Sequence, residues 1–193
     1  MASVRPTPFI ASARDGTRLL IRAVGPERKQ RFAEALAGLS ERSRYLRFAQ
    51  PLQRYTEAQL RYLTEIDYRD HMAWAAVALD APGAPGVAVA RYIRRQDDAR
   101  SAEVAVAVID AYQGRGIGPL LLGALAGTAI ANGIERFEGD ILAHNETMLR
   151  VARRMGVTVI EVADGVVHFE APLPLVVAAA VEAAQAGALP VSR

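Results

Sequence analysis

Apolar and polar positions alternate along the chain in a way that predicts a sheet. Residues 17–24 are compatible with a strand, and residues 72–79 and 86–94 are two apolar, β-rich runs joined by the turn-forming segment 80–85. A further strand is predicted at 103–109, so three successive strands should form an antiparallel meander. Later strands are expected at 135–143, 157–162 and 166–171, the last two joined at Asp164-Gly165, a dipeptide that favours a hairpin turn.

Between these strands the sequence carries helix start and stop signals. A helix should begin near Pro26 and run to about residue 39, and Ser40 and Thr56 are typical capping residues for two short helices. The segment from about 118 to 131 is apolar on nearly all sides, as in a helix that packs on a sheet. Asn145 should cap another helix, and residues 174–187 form an alanine-rich helix candidate.

This order of elements predicts one α/β (α+β) domain. Residues 17–171 form the expected domain, residues 1–16 a loose lead-in, and residues 172–193 a helical tail that packs on the body or on a second subunit. With 193 residues, 51% of them hydrophobic, the chain can bury a full core.

Composition and charge exclude several classes of function. The chain has no cysteine, which removes disulfides, thiolate nucleophiles and Cys-type zinc sites, and suits a cytoplasmic protein. No apolar run is long enough to span a bilayer and no hydrophobic signal segment is present, so no membrane association is expected. The 23 basic and 21 acidic residues are too evenly balanced to indicate nucleic-acid binding. The three histidines lack ligand spacing, so no metal is expected.

The most informative stretch is 102–122, a valine-rich strand followed by a glycine-rich turn and an apolar helix. Such a turn presents backbone N–H groups at a helix N-terminus, where a phosphate or pyrophosphate can bind. A Walker A loop is excluded because no lysine follows the glycines. The dinucleotide fingerprint is excluded because Pro119 or Leu121 stands where its third glycine should be. The remaining template, Gln/Arg-x-x-Gly-x-Gly/Ala, is met by residues 113–118.

With that turn and this order of elements, the chain resembles the GNAT superfamily of N-acetyltransferases, and most closely the bacterial Pat-type protein lysine acetyltransferases. The Pat-like segments are residues 39–48, 63–68 and 102–108. The resemblance implies a mixed, mostly antiparallel central sheet flanked by helices, with acetyl-CoA as co-substrate. It implies a protein lysine as acceptor, with an acyl-CoA synthetase as one candidate protein, and either a monomer or a homodimer. Some members carry a fused regulatory domain, for which this chain is expected to have no room.

The resemblance also implies which residues bind acetyl-CoA. The backbone of the strand should bind pantetheine, the glycine turn should bind the phosphates with Arg115 as a charged contact, and the asparagine after the fifth strand should line the site. Arg154 is placed near the CoA phosphates or at the end of its own helix. The predicted cofactor-binding residues are Val106, Ala107, Val108, Gln113, Gly114, Arg115, Gly116, Ile117, Gly118, Asn145 and Arg154.

Glu103 is the candidate catalytic residue. A lysine amine has a pKa of about 10.4 in water, so acetyl transfer near neutral pH needs a general base. Glu103 is a carboxylate early in an otherwise apolar strand, where burial would strengthen it as a base, and it matches the catalytic glutamate of the Pat-type enzymes. It shares a face with Ala105 and Ala107, and lies about 13 Å along the strand from Ala107. The alternative is a structural ion pair with Arg91 or Arg100.

One departure from the family concerns the general acid. Many GNAT enzymes have a tyrosine seven residues after the asparagine, but that position is Ala152, and Tyr112 is a remote substitute. The alternatives that stay open are a small-molecule amine acetyltransferase and a non-catalytic acyl-CoA-binding sensor. Five arginines either shape the acceptor surface or form a solvated face: Arg42, Arg44, Arg47, Arg54 and Arg61.

Overall fold

A computed structural model describes residues 4–43 and 55–185 of the chain. It contains eight strands in one sheet, in the order β1-β2-β3-β4-β5-β6-β8-β7. The strands are β1 (Phe9–Ser12), β2 (Arg18–Ala23), β3 (His71–Ala78), β4 (Gly86–Arg94), β5 (Ser101–Val108), β6 (Arg136–Leu142), β7 (Thr158–Ala163) and β8 (Val166–Pro172). The α-helices are α1 (Lys29–Ala37), α2 (Glu57–Thr64), α3 (Ile117–Ala131), α4 (Glu146–Arg154) and α5 (Leu173–Gln185).

The sheet is mixed and mostly antiparallel, as predicted. Strands β3, β4 and β5 form the expected antiparallel meander, and β5 and β6 are the parallel pair. That parallel pairing extends over just three residue pairs, from Ser101 opposite Arg136 to Glu103 opposite Glu138. Beyond Glu103 the two central strands separate, which opens the sheet in its middle.

The two faces of the sheet bury different helices. Side chains that alternate toward one face, such as Ile21, Trp74 and Tyr92, are buried in the core that α3 and α5 complete. Helix α1 lies against β4 on the opposite face. Helix α3 is apolar on all sides because it is sandwiched between the sheet and α5, where Gly123 faces Ala180.

Local turn and cap signals are confirmed. The Thr56 side chain accepts a hydrogen bond from the Gln59 backbone in a capping box, and Asn145 caps α4 by accepting one from Met148 at 3.1 Å. Asp164 and Gly165 both have positive φ, at 50° and 76°, in the predicted hairpin. The short helix predicted to begin at Ser40 falls largely on residues 44–48, which lie outside the described ranges.

The N-terminal lead-in is not loose, which corrects the expectation from sequence. Strand β1 pairs with β2 in register from Phe9 opposite Ile21, and the Phe9 ring packs edge-on against Trp74 with 5.7 Å between centroids. The Arg5 guanidinium donates to the Ala23 carbonyl at 2.9 Å. Pro6 and Pro8, which suggested a loose segment, precede β1. Strand β1 is ordered by its pairing with β2, which follows it in the sequence. Among the described helices, none is long and apolar enough to cross a membrane.

Candidate active site

The candidate site is the cleft that opens where β5 and β6 separate. It has a volume of about 1140 Å³ and is bounded by β5, the glycine turn, the end of β6, α4 and one side of α5. Most of the residues singled out from the sequence line it. These are Glu103, Val106, Ala107, Val108, Gln113, Gly114, Gly116, Ile117, Gly118, Asn145 and Arg154.

The open edge of β5 offers backbone groups to an extended ligand. The N–H of Ile109 donates to the Val87 carbonyl at 2.9 Å, so Ile109 faces β4. Because backbone groups of a strand alternate in direction, Ala107 also faces β4, where it pairs with Val89. Val106 and Val108 face the cleft instead. This corrects the assignment of Ala107, whose N–H and C=O belong to the β4–β5 ladder and not to the open edge.

The glycine turn has the conformation that the anion-binding prediction requires. Gly114 and Gly116 have φ values of 76° and 83°, which favour glycine, and Gly116 is the N-cap of α3. The first N–H groups of a helix have no partner within it, so those of Ile117 and Gly118 are directed out of the N-terminus. Gly118 has ordinary helical geometry, and a Cβ there would make a normal 3.9 Å contact with Val108.

Gln113 positions the turn from within. Its amide nitrogen donates to the Val108 carbonyl at 3.0 Å and to the Asp110 carboxylate at 3.1 Å. Hydrogen bonds from the side chains of Ser40 and Ser43 hold the pKa of Asp110 below its usual value. The glutamine therefore ties the end of β5 to the start of the turn, and its side chain is a structural member of the site.

Arg115 does not reach the cleft, which corrects its assignment as a phosphate contact. Its guanidinium donates to Asp15 at 2.8 Å and to the Ala111 carbonyl at 2.7 Å, and it stacks on the Tyr112 ring at 4.5 Å. Hydrogen bonds from the Thr17 side chain and backbone lower the pKa of Asp15, and attraction to Arg115 adds to this. Arg115 is thus engaged with the β1–β2 turn on the far side of the loop.

Arg14 lies where Arg115 was expected. Its backbone N–H donates to the Arg115 carbonyl at 2.9 Å, and its guanidinium donates to the Gly114 carbonyl at 3.3 Å. A Cβ on Gly116 would lie 2.8 Å from the Arg14 Nε, so the side chain lies directly on the glycine turn. It is exposed and lines the cleft. Sequence analysis missed Arg14 because it lies in the segment assigned to the lead-in, and no local pattern connects it to residues 100 positions away.

Glu103 lies at the apex of the cleft. It is exposed, so the expected burial of this carboxylate is wrong. Neither arginine considered as its partner forms an ion pair with it within the described ranges, because Arg91 donates to His71 and the Leu63 carbonyl, and Arg100 pairs with Glu135. The register places Glu103 beside Glu138 in the last residue pair before the strands separate.

Two other glutamates share the Glu103 row, and both are neutralised. Glu138 pairs with Arg136 at 3.2 Å and Arg95 at 3.4 Å, and Glu170, opposite Glu138 on β8, pairs with Arg136 at 3.4 Å. Glu103 is the carboxylate of this row with no ion pair in the described part of the chain.

Helix α4 supplies the opposite wall. Asn145 is the N-cap of α4, where its side-chain oxygen accepts a hydrogen bond from Met148, and it also lines the cleft; its contact with a cofactor stays a prediction. Ala152 is buried in the core and carries no acidic group. Arg154, in the last turn of α4, is exposed and lines the cleft with Arg150, whereas Arg153 does not. His144, between β6 and α4, also lines it, and no pattern singled it out from the sequence.

The remaining arginines separate by position. Arg42 lines the cleft, Arg61 is exposed on α2, and Arg44, Arg47 and Arg54 lie outside the described residues. A search of residues 4–43 and 55–185 finds no group of three side chains suited to a metal ion.

An open strand edge that leads to a glycine turn at a helix N-terminus is an arrangement suited to an extended, phosphorylated ligand. The description "Acetyltransferase (GNAT) domain" fits residues 18–158, which match the sequence profile of that family. The chain belongs to the GNAT family of acetyltransferases.

Two characterised relatives are acetyltransferases. The chain is 37% identical over 168 residues to Acetyltransferase Pat of Mycolicibacterium smegmatis, covering 87% of this chain and 50% of that protein. It is 28% identical over 155 residues to Acetyltransferase PA5475 of Pseudomonas aeruginosa, covering 80% of this chain and 83% of that one. The chain therefore spans about half the length of the Pat relative.

Solved structures agree with this family. The GNAT domain of S. lividans PAT superposes with a TM-score of 0.79 at 31% identity, covering 86% of this chain and 96% of that domain. YncA from Salmonella typhimurium, solved with its cofactor acetyl-CoA, superposes with a TM-score of 0.61 at 18% identity, covering 80% of this chain and 94% of that chain. This second match shows the fold alone.

Proposed function

We propose that the chain transfers an acetyl group from acetyl-CoA to the ε-amine of a protein lysine, with Glu103 as general base. The observation that carries this proposal is the position of Glu103, which is exposed at the apex of the cleft and forms no ion pair with another described residue. The absence of cysteine in the sequence suits the reducing cytoplasm, which is where we place the reaction.

The residues of the cleft fit the parts of acetyl-CoA in order. The backbone N–H and C=O of Val106 and the N–H of Val108 would hydrogen-bond the pantetheine amides, extending the sheet as an added strand does. The N–H groups of the glycine turn would bind the pyrophosphate, with Arg14 as the charged contact. Asn145 and Arg154 would contact the cofactor from α4.

Acetyl-CoA supplies the acetyl group as a reactive thioester. The amine nitrogen forms a bond to the acetyl carbon, the carbon–sulfur bond breaks, and the CoA thiolate leaves. Glu103 takes the proton that the amine loses, which removes the barrier posed by an amine that is mostly protonated near neutral pH. Because the residue at the family's tyrosine position is Ala152, we propose that the thiolate takes its proton from solvent.

The surface beside Glu103 supports a protein acceptor. Asp140 and His168 lie on the same face, joined by a 2.6 Å hydrogen bond, and their side chains are 65% and 40% exposed. Together with Glu103 they form an open face that carries two carboxylates beside the ion-paired Glu138 and Glu170, in the part of the chain that the structure describes. An exposed acidic face attracts a cationic side chain from a large partner, whereas small ligands are held in enclosed pockets.

Incubation with labelled acetyl-CoA and either a protein acceptor or a panel of free amines tests this proposal. We expect label on protein lysines, found by mass spectrometry, and little on free amines. Label on a small amine would favour the small-molecule alternative. CoA binding without transfer to any amine would favour an acyl-CoA sensor. An acyl-CoA synthetase is the first protein acceptor to test, because the Pat-type resemblance implies it.

A further inference from the structure

A second cavity lies on the other side of β5, beneath α1. Its floor is a row of paired residues that crosses four strands, from Arg22 through Ala75 and Val89 to Ala107. Helix α1 forms its roof with Phe32 and two neighbouring apolar residues, Ala35 and Leu36. The small side chains of Ala75 and Ala107 leave this row unfilled. The cavity has a volume of about 180 Å³.

The cavity is separate from the acetyl-CoA cleft. The two share Leu39 and Ala107 among their described lining residues. The cavity is lined by Ala107 of β5, whose backbone groups pair with β4. A ligand in the cavity would therefore leave the open edge of β5 unoccupied. The inference that follows does not depend on the proposed acetyl transfer.

The lining combines an apolar body with a cationic end. Apolar side chains dominate it, and the charged residues are three arginines, Arg22, Arg28 and Arg31. A pocket that is mostly apolar, with a few polar groups converging at one end, is the usual form of a small-molecule site. The arginines converge where β2 and α1 meet.

Among the described residues, the Arg22 side chain has no direct anionic partner. Burial lowers its pKa, and repulsion by Arg28 adds to this. The carboxylate in this region, Glu27, accepts a hydrogen bond from Arg5 at 2.6 Å and also lies 4.0 Å from Arg28. In residues 4–43 and 55–185, no hydrogen bond or ion pair is formed by the Arg22 side chain. A half-buried cation without an anion is unfavourable unless a ligand supplies one.

We propose that this cavity binds a small carboxylic acid with a compact apolar body, its carboxylate on Arg22. The guanidinium fork matches a carboxylate in two-pronged geometry, and the ring of Phe32 and the side chain of Leu36 cover the apolar body. The cavity equals the volume of about six waters, which suits a body of roughly five to eight non-hydrogen atoms. Pentanoate and benzoate are suitable probes.

The test is an NMR titration of the full chain with matched pairs of ligands. Pentanoate and benzoate are compared with pentanol and benzyl alcohol, which keep the apolar body and lose the charge. We expect amide shifts at Phe32, Ala75 and Val89 with the acids, and affinity at least about tenfold weaker for the alcohols. Equal affinity for the alcohols, shifts confined to other regions, or no binding by the acids would overturn the proposal.

Two variants separate the charge from the cavity. Arg22→Gln should weaken acid binding about tenfold or more, whereas Arg18→Gln, on the same strand and paired with Asp80, should leave it unchanged. Ala75→Leu fills the row without removing charge and should abolish binding of acids and alcohols alike. Acid binding that survives either Arg22→Gln or Ala75→Leu would show that the acids bind elsewhere.

A measurement without ligand gives an independent check. If Arg22 is an uncompensated charge, Arg22→Met should raise the melting temperature of the ligand-free chain, and saturating benzoate should raise it for the parent and not for the variant. A lower melting temperature for ligand-free Arg22→Met would show that the fold itself pairs this arginine, which would overturn the proposal.

Discussion

The carboxylate of Asp15 lies 2.8 Å from the guanidinium of Arg115 and holds that side chain on the β1–β2 turn. Arg14, the preceding residue, extends to the other side of the same turn and lies on Gly116. The hairpin formed by β1 and β2 thus contacts the glycine turn through two arginines, Arg14 and Arg115. Its Asp15 holds Arg115 of the turn away from the cleft, and its Arg14 lies on the turn and lines the cleft.

Replacing Arg14 should weaken CoA binding, and replacing Arg115 should weaken the fold. Arg14→Ala removes the charged contact that we propose for the pyrophosphate, so we expect about a tenfold or greater rise in the Kd for CoA. Arg115→Ala removes hydrogen bonds to Asp15, Thr17 and Ala111, so we expect about 1–2 kcal/mol lower stability to urea. Calorimetric titration and urea unfolding measure the two effects.

A ligand series identifies which phosphate Arg14 contacts. CoA, 3′-dephospho-CoA and pantetheine differ in their phosphates and share the pantetheine arm. If Arg14 contacts the pyrophosphate, Arg14→Ala should weaken CoA and 3′-dephospho-CoA equally and leave pantetheine unchanged. A loss seen with CoA alone would assign Arg14 to the 3′-phosphate, and unchanged CoA affinity would remove Arg14 from the site.

The two glycines of the turn should respond differently to the same substitution. Gly116→Ala places a Cβ at φ 83° and 2.8 Å from Arg14, so it should cost about 1 kcal/mol or more of stability and also weaken CoA binding. Gly118→Ala meets ordinary contacts in a helix and should be neutral or stabilising by up to about 1 kcal/mol. Equal responses would mean that the left-handed turn is not required.

Glu103→Gln tests the general base. The variant keeps the shape of the side chain and cannot accept a proton, so kcat should fall by about 10²–10⁴-fold while the Kd for CoA stays unchanged. Glu138→Gln is the matched control, since Glu138 lies in the same row but is occupied by Arg136 and Arg95. It should keep most of the activity. A Glu103→Gln enzyme with the parent's kcat would show that another group takes the proton.

Local features of this site could be predicted from sequence, because a few neighbouring residues determine them. The glycine turn, the Asn145 cap and the Asp164-Gly165 hairpin each depend on backbone preferences within a short segment. The order of strands and helices indicated the family fold for the same reason, since each element was readable by itself.

Features that depend on register or on distant contacts could not be predicted. The orientation of Ala107 follows from its pairing with Val89, and a shift of one residue would reverse it. The exposure of Glu103 follows from the point at which β5 and β6 separate. The role of Arg14 depends on contacts across 100 residues of chain.

The stability of the fold should depend on pH through His71. Burial lowers the pKa of His71 to about 4, and repulsion by Arg91 adds to this. Because the unfolded histidine titrates near 6.5, the unfolded state binds more protons between these values, so stability should fall as pH drops from about 6.5 to 4. We expect a loss on the order of 2 kcal/mol, allowing for solvent screening.

Urea unfolding across this pH range, in the parent and in His71→Gln, measures that contribution. The parent's stability should fall faster with decreasing pH than that of the variant. Parallel curves would show that His71 takes up its proton as readily in the folded chain as in the unfolded one.

Two glycines of α3 test whether α5 must pack closely for the cleft to form. A Cβ on Gly123 would lie 2.4 Å from the Ala180 Cβ, whereas one on Gly127, a turn later, would meet nothing within 4 Å. Gly123→Ala should therefore push α5 away and cost about 1–3 kcal/mol, while Gly127→Ala should stabilise the helix by up to about 1 kcal/mol. Urea unfolding gives both values.

The same pair of variants connects this packing to cofactor binding. Helix α5 lines the cleft with Ala179, Glu182 and Ala183, so displacing it should also raise the Kd for CoA in Gly123→Ala and leave it unchanged in Gly127→Ala. If Gly123→Ala loses stability but binds CoA as the parent does, α5 supports the core without shaping the site. A parallel loss would make the tail helix part of the cofactor site.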